Sequence, residues 1–119
     1  MAQMLALIDD LFFQAKVAGT ARQLGVELRI CTTSPALLGE IEREMPKLVI
    51  LDLNARGDAI GALKEIQSRA KGIPVVAFLS HVQTELAERA KAAGCQEVMP
   101  RSVFTRELAT ILARAKSQT

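Results

Sequence analysis

Tryptophan and tyrosine are absent from this 119-residue sequence, and four phenylalanines supply all of its 3% aromatic content. Platforms on which bases could stack are therefore missing. Basic residues exceed acidic ones by only two, 15 against 13, and are scattered, so no basic face marks a nucleic-acid interface. Two cysteines, Cys31 and Cys95, and a single histidine, His81, form neither a CxxC pair nor a Cys/His cluster. That spacing supports neither a disulfide framework nor a zinc site, and it fits a reducing compartment. No apolar run approaches the roughly 20 residues that a spanning helix needs. The opening MAQMLALIDD carries two aspartates and lacks the basic region of a secretory leader. The expectation is a cytoplasmic protein that engages neither membrane nor nucleic acid. Internal repeats, low-complexity tracts and Pro/Gly/Ser linkers are missing too, which predicts one domain over residues 1–119.

Half of the residues are hydrophobic. A chain of this length buries roughly two thirds of its unfolded surface, enough for a core without disulfide or metal. Short apolar runs, at 4–8, 26–30, 48–51, 74–79 and 97–99, alternate with longer segments of helical spacing. Unbroken runs of this kind read as strands buried on both faces, as in a parallel sheet covered by helices. Helices are predicted over 11–24, 34–45, 59–70, 84–93 and 105–116, with Ser34, Thr84 and Thr105 at N-cap positions and glycines 25, 72 and 94 at the C-terminal ends. Five βα units imply right-handed crossovers and an α/β fold. The expected architecture is a single doubly wound, five-stranded parallel sheet of order 2-1-3-4-5, flavodoxin-like.

Aspartate is scarce as well, limited to Asp9, Asp10, Asp52 and Asp58. The first three fall at the C-terminal ends of predicted strands one and three. In a sheet of order 2-1-3-4-5 these strands are neighbours, and the crevice outside their carboxyl ends is where such folds bind ligands. Like charges gathered there raise one another's pKa unless a cation or basic side chain sits among them. An oxygen-only donor set suits Mg²⁺. Acids at strand ends also serve as helix N-caps, a role open to Asp9 or Asp10. Arg101, just after the fifth run and at the same end, is an ion-pair candidate.

The segments Leu7-Ile8-Asp9-Asp10, Pro46-Lys47-Leu48-Val49-Ile50-Leu51-Asp52-Leu53, Gly72-Ile73-Pro74-Val75-Val76 and Ala92-Ala93-Gly94 together resemble the CheY-like receiver domain of bacterial two-component response regulators, over nearly the whole chain. The resemblance implies Mg²⁺ held by Asp9, Asp10, Asp52 and the backbone carbonyl of Asn54, with Asp52 as phosphoryl acceptor. Two positions depart from the family pattern. Leu79 stands where receivers carry the Thr or Ser that grips a phosphoryl oxygen. Ser80 is the nearest hydroxyl substitute, although strand alternation turns it to the other face unless the strand end bends. Arg101-Ser102 replaces the family's Lys-Pro, with Pro100 in front of it. Arginine keeps the charge but offers a planar fork instead of a compact ammonium. Paired with Asp52, it would hold that carboxylate ionised. The loop from Asn54 to Asp58 also lacks the Met-Pro that commonly follows the receiver aspartate.

Resemblance and departures together predict a stand-alone receiver-like domain, a pseudo-receiver with an atypical phosphoacceptor site, signalling through protein–protein interaction. It is not expected to be an enzyme beyond self-phosphorylation and autodephosphorylation of Asp52. Its partner, a histidine kinase or an output protein, would meet the face formed by residues 84–116, the family's usual contact surface. One alternative is a conventional phosphorylatable receiver that takes a phosphoryl group at Asp52 from a histidine kinase. A second is an unrelated small-ligand-binding flavodoxin-like domain. FMN is disfavoured because Asp9-Asp10-Leu11-Phe12-Phe13 lacks the Ser, Thr and Gly of a flavin phosphate loop, and an aspartyl phosphatase is disfavoured because Asn54 stands where a second Asp belongs. Phe12, Phe13 and Phe104 read as core, Cys31 and Cys95 as small buried apolar residues, and His81 as a hydrogen-bonding loop residue at the mouth of the crevice.

Overall fold

A computed structural model describes residues 3–80 and 83–116. Within them, strands β1 (Met4–Leu7), β2 (Leu28–Cys31), β3 (Leu48–Asp52), β4 (Val75–Leu79) and β5 (Glu97–Pro100) form one sheet in the order β2-β1-β3-β4-β5. Every neighbouring pair is parallel, as the alternation of apolar runs and helical segments predicts. The helices are α1 (Leu11–Leu24), α2 (Ser34–Arg43), α3 (Ala59–Arg69), α4 (Thr84–Ala92), α5 (Arg101–Arg106) and α6 (Leu108–Lys116). None of the helices among the described residues is long and apolar enough to cross a membrane.

Strands β1, β3 and β4 are buried at every position, so their side chains feed two cores by simple alternation. Leu7, Leu51, Ala77 and Leu79 pack with α2, α3 and α4, on the side of Leu37, Leu63 and Ala90. Met4, Ile50, Val76 and Phe78 pack with α1 and α6, on the side of Phe13, Val17 and Ile111. Asp52 continues the Leu48, Ile50 series, so it stands at the carboxyl end on the α1 side. Leu79 belongs to the opposite face. This parity is what sets the chemistry at the sheet's end.

Four local expectations need correction. The last helical stretch begins at Arg101 instead of 105 and is split at Glu107 into α5 and α6. Pro100, extended at φ −62° and ψ 151°, occupies its N-cap, and a proline that closes a strand leaves the next residue free to open a helix. The N-caps of α2 and α4 are Thr33 and Gln83, one residue ahead of Ser34 and Thr84. Phe12 is 91% exposed, because the buried stripe of α1 is Phe13, Val17 and Ala21, and its neighbour lies about 100° away around the helix. Of the three expected glycines only Gly25 is itself a C-cap; α3 and α4 are capped by Ala70 and Ala93, and Gly72 and Gly94 follow them with positive φ. Gly25 turns left-handed at φ 73° and returns its N–H to the carbonyls of Ala21 and Arg22.

Candidate functional site

At the carboxyl edge, the ends of β1 and β3 and the start of α5 meet. Asp10 is the N-cap of α1, and its Oδ1 accepts from the N–H groups of Phe12 at 3.0 Å and Phe13 at 3.2 Å. Two donors that the first helical turn leaves unpaired are thereby satisfied. The other oxygen, Oδ2, accepts from Nη1 of Arg101 at 3.2 Å. Asp52, 1% exposed, accepts from the N–H of Asn54 at 2.9 Å through Oδ1 and from Nη2 of Arg101 at 3.4 Å through Oδ2. One guanidinium thus bridges two carboxylates that reach the edge from different strands.

Beneath the guanidinium lies an aromatic floor. Its Cζ sits 4.5 Å from the ring centroid of Phe13 and 5.5 Å from that of Phe78. The Phe78 and Phe104 rings stack at 4.5 Å, and Phe13 meets Phe78 edge-on at 5.1 Å. A planar, weakly hydrated cation suits that surface better than an ammonium does. Nε is buried without a hydrogen-bond partner, so the fork is held by its two terminal nitrogens and by the rings.

Asp9 turns elsewhere. Its Oδ2 accepts from the backbone N–H of Arg56 at 2.7 Å and lies 3.6 Å from the Arg56 Nε, which fastens the loop after β3 to the end of β1. Asp10 and Asp52 thus form a bridged pair, while Asp9, close enough to push the Asp52 pKa up, also anchors the loop after β3. Among the described residues, no three His, Cys, Asp or Glu side chains are grouped so as to hold a metal ion. Every oxygen of Asp10 and Asp52 already faces an N–H donor. Holding Mg²⁺ on these carboxylates would require the Arg101 guanidinium to give up both of them.

The two bridged carboxylates titrate in opposite directions. Burial pushes Asp52 up, against the pull of the Asn54 N–H and of Arg101, and nearby Asp9 and Asp10 push the same way. The N–H of Phe13, followed by the hydrogen bond from Arg101, holds Asp10 below the usual carboxylate value. Arg101 thus attracts Asp52 as expected, but desolvation outweighs it.

The Asn54 side chain is a contact that sequence reading missed. Its Oδ1 accepts from both the N–H and the hydroxyl of Ser80, at 2.6 and 2.9 Å, while Nδ2 donates to Oε1 of Gln83 at 2.9 Å. The Ser80 hydroxyl is thus directed at Asn54, and Leu79 is packed into the α2–α4 core. Gln83 carries no local signal of this role, since its partner lies 29 residues away in sequence. His81 lies outside the described residues.

A five-stranded parallel sheet of this order, with an acidic pair after β1 and an aspartate ending β3, has the fold of response-regulator receiver domains. The receiver domain of NtrX from Brucella abortus is similar at 26% identity and a TM-score of 0.81, covering 98% of this chain and 99% of that one. A longer NtrX chain from Brucella abortus is also similar at 26% identity with a TM-score of 0.83, and this chain spans 27% of its length. The chemotaxis response regulator CheY4 of Vibrio cholerae, at 19% identity and a TM-score of 0.82, covers 97% of this chain and 98% of its own, and shares the fold. No protein-family model and no curated protein matches the chain.

Proposed function

We propose that this chain is a receiver-like signalling domain whose phosphoacceptor site is neutralised from within, and that it acts by contact with a protein partner. The observation that carries the reading is the Arg101 guanidinium bridging Asp10 and Asp52. Phosphoryl transfer to Asp52 Oδ2 requires that arginine to move, and its departure takes the one positive charge from a buried carboxylate that then keeps only the Asn54 N–H. Magnesium on Asp9, Asp10, Asp52 and the Asn54 carbonyl requires the same departure. Leu79 offers no hydroxyl to a phosphoryl oxygen, and the Ser80 hydroxyl is engaged by Asn54.

A histidine kinase or an output protein would dock on the face formed by residues 84–116. A shallow groove of about 200 Å³ between α4 and β5, lined by Leu79, Ala87, Lys91, Val98, Met99 and Pro100, offers the apolar floor and charged rim that suit a protein segment. Cys31 and Cys95 are free and buried, in keeping with a cytoplasmic setting.

Incubation with millimolar Mg²⁺ and a small acyl phosphate, read by intact mass, tests the reading. The expected result is an unmodified chain. A stoichiometric phosphoryl increment that Asp52→Asn abolishes would overturn it in favour of a conventional phosphorylatable receiver.

A further inference from the structure

We propose that Phe13 is the positioning residue that holds Arg101 across Asp10 and Asp52, an inference that rests on the reading of Arg101 as the group closing the site.

The two ion pairs do not place the guanidinium by themselves. Nη1 stops 3.2 Å from Asp10 and Nη2 stops 3.4 Å from Asp52, beyond the about 2.7 to 2.9 Å of a charge-assisted hydrogen bond. In the same molecule Arg69 and Arg114 close to 2.7 and 2.6 Å on Glu42 and Glu97. The orientation also differs from that of an arginine steered by carboxylates. Arg29, Arg56, Arg69 and Arg106 each turn Nε towards an acid, at 3.3 to 3.6 Å. Nε of Arg101 is buried and has no partner. A donor left in that state costs free energy, so a contact of another kind has to offset it.

That contact is the Phe13 ring. The guanidinium carbon lies 4.5 Å from its centroid against 5.5 Å for Phe78, and among the described residues it lies over no third ring. A planar, weakly hydrated cation gives up little water on such a surface and is attracted by the negative face of the ring. Phe13 also reaches the acid of the pair, because its N–H donates to Asp10 Oδ1 at 3.2 Å. One residue of α1 thus orients Asp10 with its backbone and Arg101 with its ring. The ring is itself fixed. It meets Phe78 edge-on at 5.1 Å, lies 5.9 Å from Phe104 and belongs to the buried stripe of α1. Opening the site therefore means parting Arg101 from a fixed ring as well as from two carboxylates.

The test reads the Nε–H of Arg101 by NMR, as a ring-shifted signal protected from exchange with water. Phe13→Leu removes the ring and keeps both an apolar side chain and the N–H to Asp10. It is expected to move the Arg101 signal to the position of the Arg43 Nε–H, whose side chain is 72% exposed. Its exchange should quicken by roughly 2- to 30-fold, the equivalent of one cation–π contact. Phe104→Leu is the control for loosened packing, because that ring stacks on Phe78 within the same cluster and does not lie under the guanidinium. It is expected to leave Arg101 protected. Phe13→Met, with a flexible side chain that fills irregular space, repeats the measurement should the leucine variant fold poorly. A double-mutant cycle gives the same quantity from stability, since Phe13→Leu should lower the folding constant more in the native than in an Arg101→Gln background, by the same factor. An Arg101 signal that stays protected in the Phe13 variants overturns the proposal. A release by Phe104→Leu as large as that by Phe13→Leu does so too, as do equal costs in the two backgrounds. A native Arg101 that already exchanges like Arg43 would overturn the bridge itself and the proposed function with it, and the native spectrum gives that result before any substitution is made.

Discussion

At the scale of single residues, the bridged pair makes two carboxylates respond oppositely to pH. Burial lifts Asp52 above the ordinary value of 3.8, so the folded chain binds its proton more readily than the unfolded chain does. The stability it contributes is complete below 3.8 and is lost as pH rises through its folded pKa. Asp10 runs the other way, contributing above 3.8 and losing that contribution as pH falls through its lowered pKa. Asp52→Asn is therefore expected to raise the urea midpoint at about pH 7, with the advantage narrowing as pH falls through the raised Asp52 pKa towards 3.8. A urea series across that range checks the sign. A variant less stable than the native chain at neutral pH would mean that the attraction of Arg101 outweighs the burial of Asp52 after all. The arginine itself can be weighed by two substitutions. Arg101→Ala strands a buried carboxylate and should cost about 3 kcal/mol, the low end for a broken buried pair. The low end applies because the arginine side chain is 28% exposed and so partly screened. Arg101→Lys keeps a cation but loses the fork and much of the contact with the Phe13 ring, at about 1 kcal/mol. Equal and negligible losses in denaturant titrations would show that the guanidinium is solvated in solution.

At the scale of elements, the cap positions separate what local sequence specifies from what it leaves open. Thr33 and Ser34 are both good cap formers, and the pattern alone does not choose between them. In the folded chain Thr33 Oγ1 accepts from the N–H of Ala36 at 3.3 Å, while the Ser34 hydroxyl reaches the carbonyl of Asp58 at 3.0 Å, 24 residues away. Thr33→Ala should then cost about 1 kcal/mol. Thr84→Ala, an exposed position just after the N-cap, should stay within about 0.5 kcal/mol. Thermal or urea unfolding of the two variants distinguishes these values, and a reversed order would return the cap of α4 to Thr84. The same division holds at the site. Strands β1, β3 and β4 were legible because unbroken apolar runs have few other uses, and Asp10, Asp52 and Arg101 because charged residues at strand ends share one edge once the order is known. The turn of Asp9 towards Arg56, 47 residues on, was not legible. Nor were the three bonds of Asn54. Such pairings depend on which loops the sheet order brings together and leave no periodicity to read. The early start of α5 is hidden for a different reason, since a proline reads as a break in structure, whereas Pro100 closes β5 and opens a helix at once.

At the scale of the whole molecule, the sheet divides the core in two, and the two departures from the receiver pattern lie on different sides of it. Leu79 fills the α2–α4 half, 3% exposed, while Arg101 covers the top of the α1–α6 half. They come near each other only at the carboxyl edge, where Leu79 stands opposite Pro100 in the β4–β5 register. Restoring the receiver pattern therefore means changing both halves. Leu79→Thr places a hydroxyl at the strand end and gives up buried apolar volume, at about 2 to 3 kcal/mol. Together with about 1 kcal/mol for Arg101→Lys, the total stays below the roughly 5 to 15 kcal/mol typical of such a domain, so the double variant should fold. A lysine leaves the Phe13 floor more readily than an arginine and frees the Asp10 and Asp52 oxygens for a divalent ion. In Mg²⁺ and acyl phosphate the double variant should carry more phosphoryl group on Asp52 than the native chain, with the single variants between them. Intact mass gives the extent, and an Asp52→Asn control gives the position. Should the folded double variant remain unmodified, the barrier would lie in the one acid that both substitutions leave untouched. The bond from the Arg56 N–H to Asp9 Oδ2 would then be the next contact to remove, and the extent of modification would show whether it withholds that oxygen from the ion.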